Sequence, residues 1–372
     1  MRVSFPSSFA SLFYKIRQAA LSSKCGCCSA PSNIALVKYW GKEAQAFQIP
    51  LNSSLSFTLG GFRSLTNIHP KEGKNHTFFL NGKPSTLPAR IHHVLDLLLP
   101  ELGYTQSLSI ESSCNFPHSC GLASSASGGA ALIGALFDAF FLADIFTAEE
   151  QRRWLTEGAR LLSGSATRSV LPAAFVLWER LANQLETRTI AVPSTLSSLA
   201  HGVVLLDATP KSLSSSKGHD NAPTSPLFAW RQASLPRILQ EVQESLRLGD
   251  WQTLSRHAEQ EAFALHAITQ TAHPPFCYLS TATQTFLQAF LIERDRQQVR
   301  VFMTIDAGPN IHLLFLEEER EAVRSLLRRV AESFQAPLPV LFNQTSTPIA
   351  IGTDAITALP ELLIQKEIFS PS

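Results

Sequence analysis

The chain has 372 residues, of which 45% are hydrophobic, so it can bury a large core and is predicted to form one two-lobed unit or two closely joined domains. It carries 31 Lys and Arg against 30 Asp and Glu, which argues against an overall basic field that would attract nucleic acid or an anionic membrane. No apolar run is long enough to cross a bilayer, so we expect no membrane partner.

The N-terminal segment, residues 1–24, is Ser-rich and free of acidic residues. It combines basic residues with an apolar helical pattern: Arg2, Lys15, Arg17 and Lys24 with Phe9, Leu12, Phe13 and Ile16. This composition resembles that of an organelle-targeting peptide. The alternative is an N-terminal helical extension that packs on the core or frays. In either case we place these residues outside the catalytic region.

The six cysteines do not form a metal-binding pattern. Three lie together and three are scattered: Cys25, Cys27 and Cys28, then Cys114, Cys120 and Cys277. No second close pair supplies the remaining ligands of a structural zinc site. The sequence therefore predicts reduced thiols in a cytosolic protein.

Within the segment Ala30–Glu43, APSNIALVKYWGKE, the run Ile34–Val37 is predicted to be a buried strand or helix start that leads into a glycine turn. Tyr39, Trp40 and Lys42 flank Gly41, and the Lys42 ammonium suits a phosphate as a point charge. The alternatives are that Lys38 is simply solvated and that Trp40 only fills the core.

The next segments predict an antiparallel meander. Leu55–Leu59 alternates as a half-buried strand does, and Gly60-Gly61 is predicted to turn into a second strand. Asn81-Gly82 indicates a hairpin after a third strand, because both residues tolerate positive backbone angles. A helix from about residue 88 to 102 and a short strand over 108–112 follow.

The stretch CNFPHSCGLASSASGGAAL, from Cys114 to Leu132, combines a glycine loop with the start of a long helix. Ser124, Ser125 and Ser127 offer hydroxyl groups in its first turns. A helix start collects unpaired N–H groups and attracts an anion. The alternative is a tightly packed small-residue helix that another backbone approaches. The loop lacks the lysine of a P-loop, so any phosphate cradle is of another type.

A second hydroxyl-rich turn, SGSATRS over residues 163–169, follows a helix whose start is marked by Thr147. The Arg168 guanidinium, among neighbouring hydroxyls, suits a carboxylate or phosphate. The alternative is an Arg-capped turn between helices.

The second half of the chain predicts another lobe of helices and strands, with a mobile loop near 212–226 over the site. Asp306, in MTIDAGPN, follows an apolar strand and opens a glycine-proline turn. It can project a carboxylate into a cleft, or alternatively only organise its own turn.

Together these motifs resemble a known family. GLASSASGGAAL resembles the phosphate-binding motif of the GHMP kinase superfamily. APSNIALVKYWGK, NSSLSFTL, SGSATRS and MTIDAGPN resemble its decarboxylase branch, the diphosphomevalonate decarboxylases, in the right order over roughly residues 24 to 350. The resemblance implies an α/β (α+β) fold of two lobes: a ribosomal-protein-S5-like ATP-binding domain over 25–200 and a ferredoxin-like domain over 201–372.

The resemblance also implies residue roles. Catalysis falls to Asp306, Arg168 and Lys42. Substrate contacts fall to Tyr39, Trp40, Gly41, Lys42, Ser163, Gly164, Ser165, Ala166, Thr167, Arg168 and Ser216. The resemblance implies that the ATP phosphates are bound by Gly121, Leu122, Ala123, Ser124, Ser125 and Ala126. It also implies that Ser125 is a ligand of Mg2+.

The implied activity is ATP-dependent decarboxylation of mevalonate 5-diphosphate to isopentenyl diphosphate, in the mevalonate pathway of isoprenoid and sterol biosynthesis, by a cytoplasmic homodimer. Two positions depart from the family. Asn75 stands where we expect a diphosphate-binding arginine, and Pro172 lies in a turn where glycines are common. These departures leave two alternatives: a mevalonate 5-phosphate decarboxylase that gives isopentenyl phosphate, and a non-catalytic nucleotide-binding member.

Overall fold

The computed structural model describes residues 9–19, 21–43, 47–117, 121–182, 184–207, 213–343, 349–352, 355 and 364–371. Arg2, Cys120 and Ser212, which figure in the sequence predictions, lie outside these ranges. None of the described helices is long and apolar enough to cross a membrane.

The described residues confirm a mixed α/β fold with two sheets. The strands are β1 Gly26–Val37, β2 Ser54–Lys71, β3 Thr77–Leu80, β4 Lys83–Ser85, β5 Ser107–Cys114, β6 Phe175–Arg180, β7 Leu185–Ile190, β8 Leu199–Val204, β9 Val301–Thr304, β10 Ile311–Leu316, β11 Leu338–Asn343, β12 Ala350–Ile351 and β13 Ile364–Phe369. The α-helices are α1 Ala10–Gln18, α2 Ala89–Glu101, α3 Ser124–Ala139, α4 Ala148–Leu162, α5 Ser194–Ser197, α6 Ser215–Asn221, α7 Pro226–Leu248, α8 Trp251–Thr271, α9 Thr281–Gln297 and α10 Arg320–Phe334.

The first sheet has the order β12-β1-β2-β5-β3-β4, and β6 and β7 extend it from β2. The turn predicted at Gly60-Gly61 is wrong, because β2 runs unbroken through both glycines. The register against β1 shifts there, from Pro31 opposite Arg63 to Ser32 opposite Leu59. A bulge thus bends the long strand where the sequence suggested that it ended.

The second sheet has the order β13-β11-β8-β10-β9. Strands β8 to β11 are buried along almost their whole length, as in β10, where every residue is buried, whereas the edge strand β13 is largely exposed or half-buried. Apolar residues of α9 and α10 complete this core. A separate apolar cluster joins strands of both sheets to α7 and α8, and the Gly61 N–H donates to Asn343 Oδ1 at 2.7 Å. The two sheets therefore share packed contacts around a cleft.

Helix α1 packs on the core. Phe9, Leu12, Phe13 and Ile16 are buried in the same cluster as α2, α3 and Trp154. The Phe9 ring meets the Trp154 ring edge-on at 5.7 Å between centroids. For residues 9–19 the structure thus favours the packed extension over a frayed one.

Candidate active site

A cavity of about 320 Å³ opens between the two sheets. Its walls come from separate parts of the chain, chiefly the end of β1, the start of α3, the turn after α4, the start of α6 and the β9–β10 connection, with Arg90 of α2 and Leu265 of α8. Most of the predicted site residues line it: Tyr39, Trp40, Gly121, Leu122, Ala123, Ser124, Ser125, Ser163, Gly164, Ser165, Arg168, Ser216 and Asp306. Folding therefore brings the separate motifs to one place.

Five predicted residues do not line this cavity: Gly41, Lys42, Ala126, Ala166 and Thr167. The Gly41 N–H donates to His219 Nδ1 at 3.1 Å, which supports the cavity wall from behind. Thr167 is fully buried and its hydroxyl donates to the Thr156 carbonyl at 2.9 Å. Ala126 and Ala166 are buried core residues. Gly41, Ala126, Ala166 and Thr167 therefore support the site without facing it, whereas Lys42 lines a neighbouring cavity.

Lys38 lines the cavity, although the sequence did not mark it as a site residue. The suggestion that it is simply solvated is wrong, because its side chain is fully buried. Its Nζ donates to the Ala35 carbonyl at 2.7 Å, to Thr304 Oγ1 at 2.6 Å and to Asp306 Oδ1 at 2.7 Å. Three acceptors match the three donors of an ammonium group. Lys38 thus forms an ion pair with Asp306 at the base of the cavity.

Burial and the attraction between Lys38 and Asp306 have opposite effects on the pKa of Lys38. Burial lowers the pKa of the Lys38 ammonium from its usual value, and the nearby Asp306 carboxylate acts in the opposite direction. The Asp306 side chain keeps 25% of its surface exposed, so its carboxylate still reaches the cavity. Burial, together with the nearby Lys38 charge, lowers the pKa of neighbouring His266 to about 3, so this imidazole is neutral at neutral pH.

Arg168 is buried on the opposite wall. Its Nη1 donates to Ser54 Oγ at 2.5 Å and its Nη2 to Asn33 Oδ1 at 3.4 Å. Its Nε finds no hydrogen-bond partner in the part of the chain that the structure describes. Burial lowers the pKa of the guanidinium to about 10, with Asp306 acting against it, so it stays charged at neutral pH. A buried cation with a spare donor is suited to receive an anionic ligand.

The glycine loop reaches the cavity at the start of α3. Ala123, the N-cap residue, adopts the left-handed conformation, and among the described residues no side-chain cap bonds the first N–H groups of the helix. Gly121 has φ +86°, and a Cβ there would lie 3.2 Å from Gly308. The loop therefore touches the turn that carries Asp306. Of the predicted hydroxyls, Ser127 is not free, because it is buried against Ser64 Oγ at 2.7 Å.

Basic groups gather at the other end of the cavity. The Lys42 Nζ donates to Ser216 Oγ at 2.7 Å and pairs with Asp220 at 3.2 Å. Arg90 Nη2 donates to the same Ser216 hydroxyl at 3.3 Å. Arg90 lines this cavity and also a neighbouring cavity of about 520 Å³. Lys42 lines the neighbouring cavity only.

Neither Asn75 nor Pro172, the two positions that depart from the family, lines the cavity. Asn75 is exposed in the β2–β3 connection. Arg90, whose sequence context gave no signal of a site, is a cation that does line the cavity.

Tyr39 and Trp40 form an aromatic wall with His219. Their rings lie 4.1 Å and 4.6 Å from the His219 ring. Burial raises the pKa of the Tyr39 phenol, whose hydroxyl has no hydrogen-bond partner among the described residues. Trp40 lines the cavity and also fills an apolar cluster, so it is both a wall residue of the cavity and a core residue.

Two family models match successive parts of the chain. The model for the diphosphomevalonate decarboxylase-like N-terminal domain matches residues 30–190. The model for the mevalonate 5-diphosphate decarboxylase C-terminal domain matches residues 203–359. The diphosphomevalonate decarboxylase of Candida albicans is 30% identical over 321 residues, covering 80% of this chain and 86% of that protein. That of Rattus norvegicus is 31% identical over 337 residues, covering 82% and 80%.

Solved structures are similar over most of the chain. The mevalonate diphosphate decarboxylase of Staphylococcus aureus aligns with a TM-score of 0.79 at 27% identity, covering 89% of this chain and 98% of that one. The structure of MDDEF in complex with MVAPP, AMPPCP and magnesium aligns with a TM-score of 0.77 at 28% identity, covering 89% and 99%. These similarities confirm the predicted fold class.

Proposed function

The chain belongs to the diphosphomevalonate decarboxylase family, and from this premise we propose that it converts mevalonate 5-diphosphate to isopentenyl diphosphate with ATP, releasing ADP, phosphate and CO2. One observation carries the proposal. The Lys38–Asp306 pair, the buried Arg168 and the uncapped start of α3 face a single cavity. These groups match a reaction that needs a base, a carboxylate site and a phosphate site.

ATP with Mg2+ supplies the phosphoryl group that turns the substrate's tertiary hydroxyl into a leaving group. Gly121–Ser125 would hold its phosphates, because the N–H groups at the start of α3 are uncapped and open on the cavity. Ser125 is the proposed magnesium ligand. The MDDEF complex with AMPPCP and magnesium supports this part of the proposal.

Asp306 accepts the hydrogen bond of the substrate hydroxyl, orients its oxygen and takes its proton. Lys38 holds the carboxylate in place through Oδ1 at 2.7 Å. Because phosphoryl transfer depends chiefly on positioning and charge, a fixed carboxylate is worth more here than a strong base.

Arg168 orients the substrate carboxylate through its spare Nε–H. Two of its nitrogens are already bonded to Ser54 and Asn33, so the substrate is offered a limited contact instead of the full fork. A carboxylate held too firmly in the ground state would leave as CO2 more slowly. The position of Arg168 therefore suits a substrate carboxylate that must be aligned and then released as CO2.

Lys42, Arg90 and Ser216 would bind the diphosphate of the substrate. Two cations around one hydroxyl favour a diphosphate over a monophosphate, because the second phosphate adds charge at this end. Tyr39 adds a donor on the same wall.

The substrate preference is tested by comparing kcat/KM for mevalonate 5-diphosphate and mevalonate 5-phosphate, with the isoprenoid product identified by mass spectrometry. The proposal expects isopentenyl diphosphate and a clear preference for the diphosphate. Equal turnover of both substrates would contradict it. The cytoplasmic location, the homodimer and the domain boundary near residue 200 stay predictions.

A further inference from the structure

Both backbone groups of Lys38 are held by side chains of the long helices α7 and α8. The Lys38 N–H donates to Glu261 Oε2 at 2.9 Å. The Lys38 carbonyl accepts from Arg231 Nη2 at 2.8 Å and from Asn52 Nδ2 at 2.8 Å. Lys38 lies just past the end of β1, so these side chains replace the bonds that a sheet partner would give.

The two helix residues also bind each other. Arg231 donates to Glu261 through Nη2 at 2.7 Å and through Nε at 3.2 Å, and both side chains are only 2% exposed. The result is a closed ring: Lys38 N–H to Glu261, Glu261 to Arg231, and Arg231 back to the Lys38 carbonyl. The whole peptide unit on each side of the Lys38 Cα is therefore fixed.

Helix α8 holds both strands that lead to the ion pair. Glu261 binds the residue after β1, and Glu259, two positions earlier, accepts the Met303 N–H of β9 at 3.1 Å. Asp306 follows β9 by two residues. One rigid helix thus sets the distance between the backbone of Lys38 and the strand that carries Asp306.

Stability alone does not account for a buried pair of this kind. Removing two charges from water costs more than their attraction often returns, and an apolar pair of similar size can be as stable. We propose that the Arg231–Glu261 pair is a positioning device that holds Lys38 so that its ammonium meets Asp306. This inference rests on the proposed function and adds two residues that do not line the cavity.

The test is the double substitution Arg231→Met with Glu261→Met, which removes both charges and keeps similar volume. We expect kcat to fall by about 30- to 100-fold, because a displacement on the order of 1 Å costs about that much. The KM for ATP is expected to stay within about threefold and the fold to remain intact, as shown by thermal unfolding.

Two further variants separate positioning from general damage. Glu261→Gln keeps an acceptor for the Lys38 N–H, so at a temperature where it is folded it should retain kcat within about fivefold, although the unpaired Arg231 charge lowers its stability. In a Lys38→Met background the double substitution should lower kcat by less than about threefold more, because its effect passes through Lys38. The control, Arg324→Met with Glu367→Met, removes an ion pair between α10 and β13 and should leave kcat unchanged.

Full activity of the Met/Met protein, or an equal loss in the Lys38→Met background, would overturn the inference. An inactive wild-type protein would instead contradict the proposed function. A crystal structure of the Met/Met protein then decides the inference by itself: an unchanged Lys38 Nζ to Asp306 Oδ1 distance would refute it, and a lengthened one would support it.

Discussion

The Lys38 ammonium lies 2.7 Å from the Asp306 carboxylate, although 268 positions separate the two residues in the chain. Lys38 follows a strand of the first sheet and Asp306 follows a strand of the second. The contact therefore exists only when both sheets are packed together. It gives the reacting end of the cavity a carboxylate whose position is fixed.

Replacing Lys38 with Met tests the importance of this contact. We expect kcat to fall by about 100-fold or more while the KM for ATP changes little, because the carboxylate loses its anchor but the α3 loop is untouched. Steady-state kinetics check this. Lys366→Met, at an exposed lysine on β13, is the control and should retain wild-type kcat. A Lys38→Met enzyme with normal kcat would refute the role.

Replacing Arg168 with Lys keeps the charge but loses the planar fork and the spare Nε–H. We expect kcat/KM for mevalonate 5-diphosphate to fall by about 100-fold, because a lysine cannot bond Ser54, Asn33 and the substrate carboxylate in the same geometry. Arg160→Lys changes a buried arginine that does not line the cavity, and should cost much less. Similar losses in both variants would point to packing instead of substrate binding.

Replacing Arg90 with Met should raise the KM for mevalonate 5-diphosphate by about tenfold with a smaller effect on kcat. The reason is that Arg90 stands beside Ser216, away from the reacting Asp306. Asn75→Ala is the matched comparison, since Asn75 is exposed and outside the cavity. A larger effect of Asn75→Ala would restore the original interpretation of that position.

Protein stability is expected to fall below pH 6.5 through buried histidines. Burial lowers the pKa of His312 to about 4 and that of His266 to about 3. Above pH 6.5 both are neutral whether the chain is folded or unfolded, so they contribute nothing. As the pH falls, only the unfolded chain takes up protons, at a cost of about 2 kcal/mol per histidine at pH 5.

His312→Gln checks this pH dependence. His312 lies in β10 with His201 at 2.8 Å, and the amide of Gln cannot take up a proton. The variant should lose about 2 kcal/mol less stability than the wild type between pH 7.5 and pH 5 in denaturant unfolding. Equal losses in the two proteins would mean that His312 is charged in the fold.

Helix α1 is expected to contribute to stability. Leu12 is fully buried against α2 and α4, so Leu12→Ala should cost about 2 to 5 kcal/mol in denaturant unfolding. Tyr14, on the same helix, is 66% exposed, and Tyr14→Ala should cost under about 0.5 kcal/mol. Equal small effects would show that the helix is only loosely attached.

The sequence predicted the two-lobed fold and most cavity residues because each lies in a local motif. Turn and helix-start signals alone left alternatives open for Gly121–Ser125, Arg168 and Asp306, and the resemblance of the ordered motifs to a known family placed them in one site. Lys38 could not be placed, because a lysine beside aromatic residues has the same local pattern whether it is solvated or buried. Only the second sheet, 268 positions away, decides its state.

Other differences have the same origin. Arg90 lies in an ordinary helix start, and no local feature marks it as a cavity residue. Gly60-Gly61 suggested a turn, but pairing with β1 on one side allows a bulge within a continuous strand. Ser127 looked like a free hydroxyl until the buried Ser64 was placed opposite it. In each case a contact between residues far apart in the chain decides the structure, and the local sequence pattern does not show that contact.

The central claim is tested most directly by measuring ADP, phosphate and CO2 together when the protein is given ATP, Mg2+ and mevalonate 5-diphosphate. We predict one CO2 and one phosphate for each ADP, with all three abolished together in Asp306→Asn. Release of ADP without CO2, or equal release by wild type and Asp306→Asn, would contradict the assignment of this cavity as a decarboxylase site.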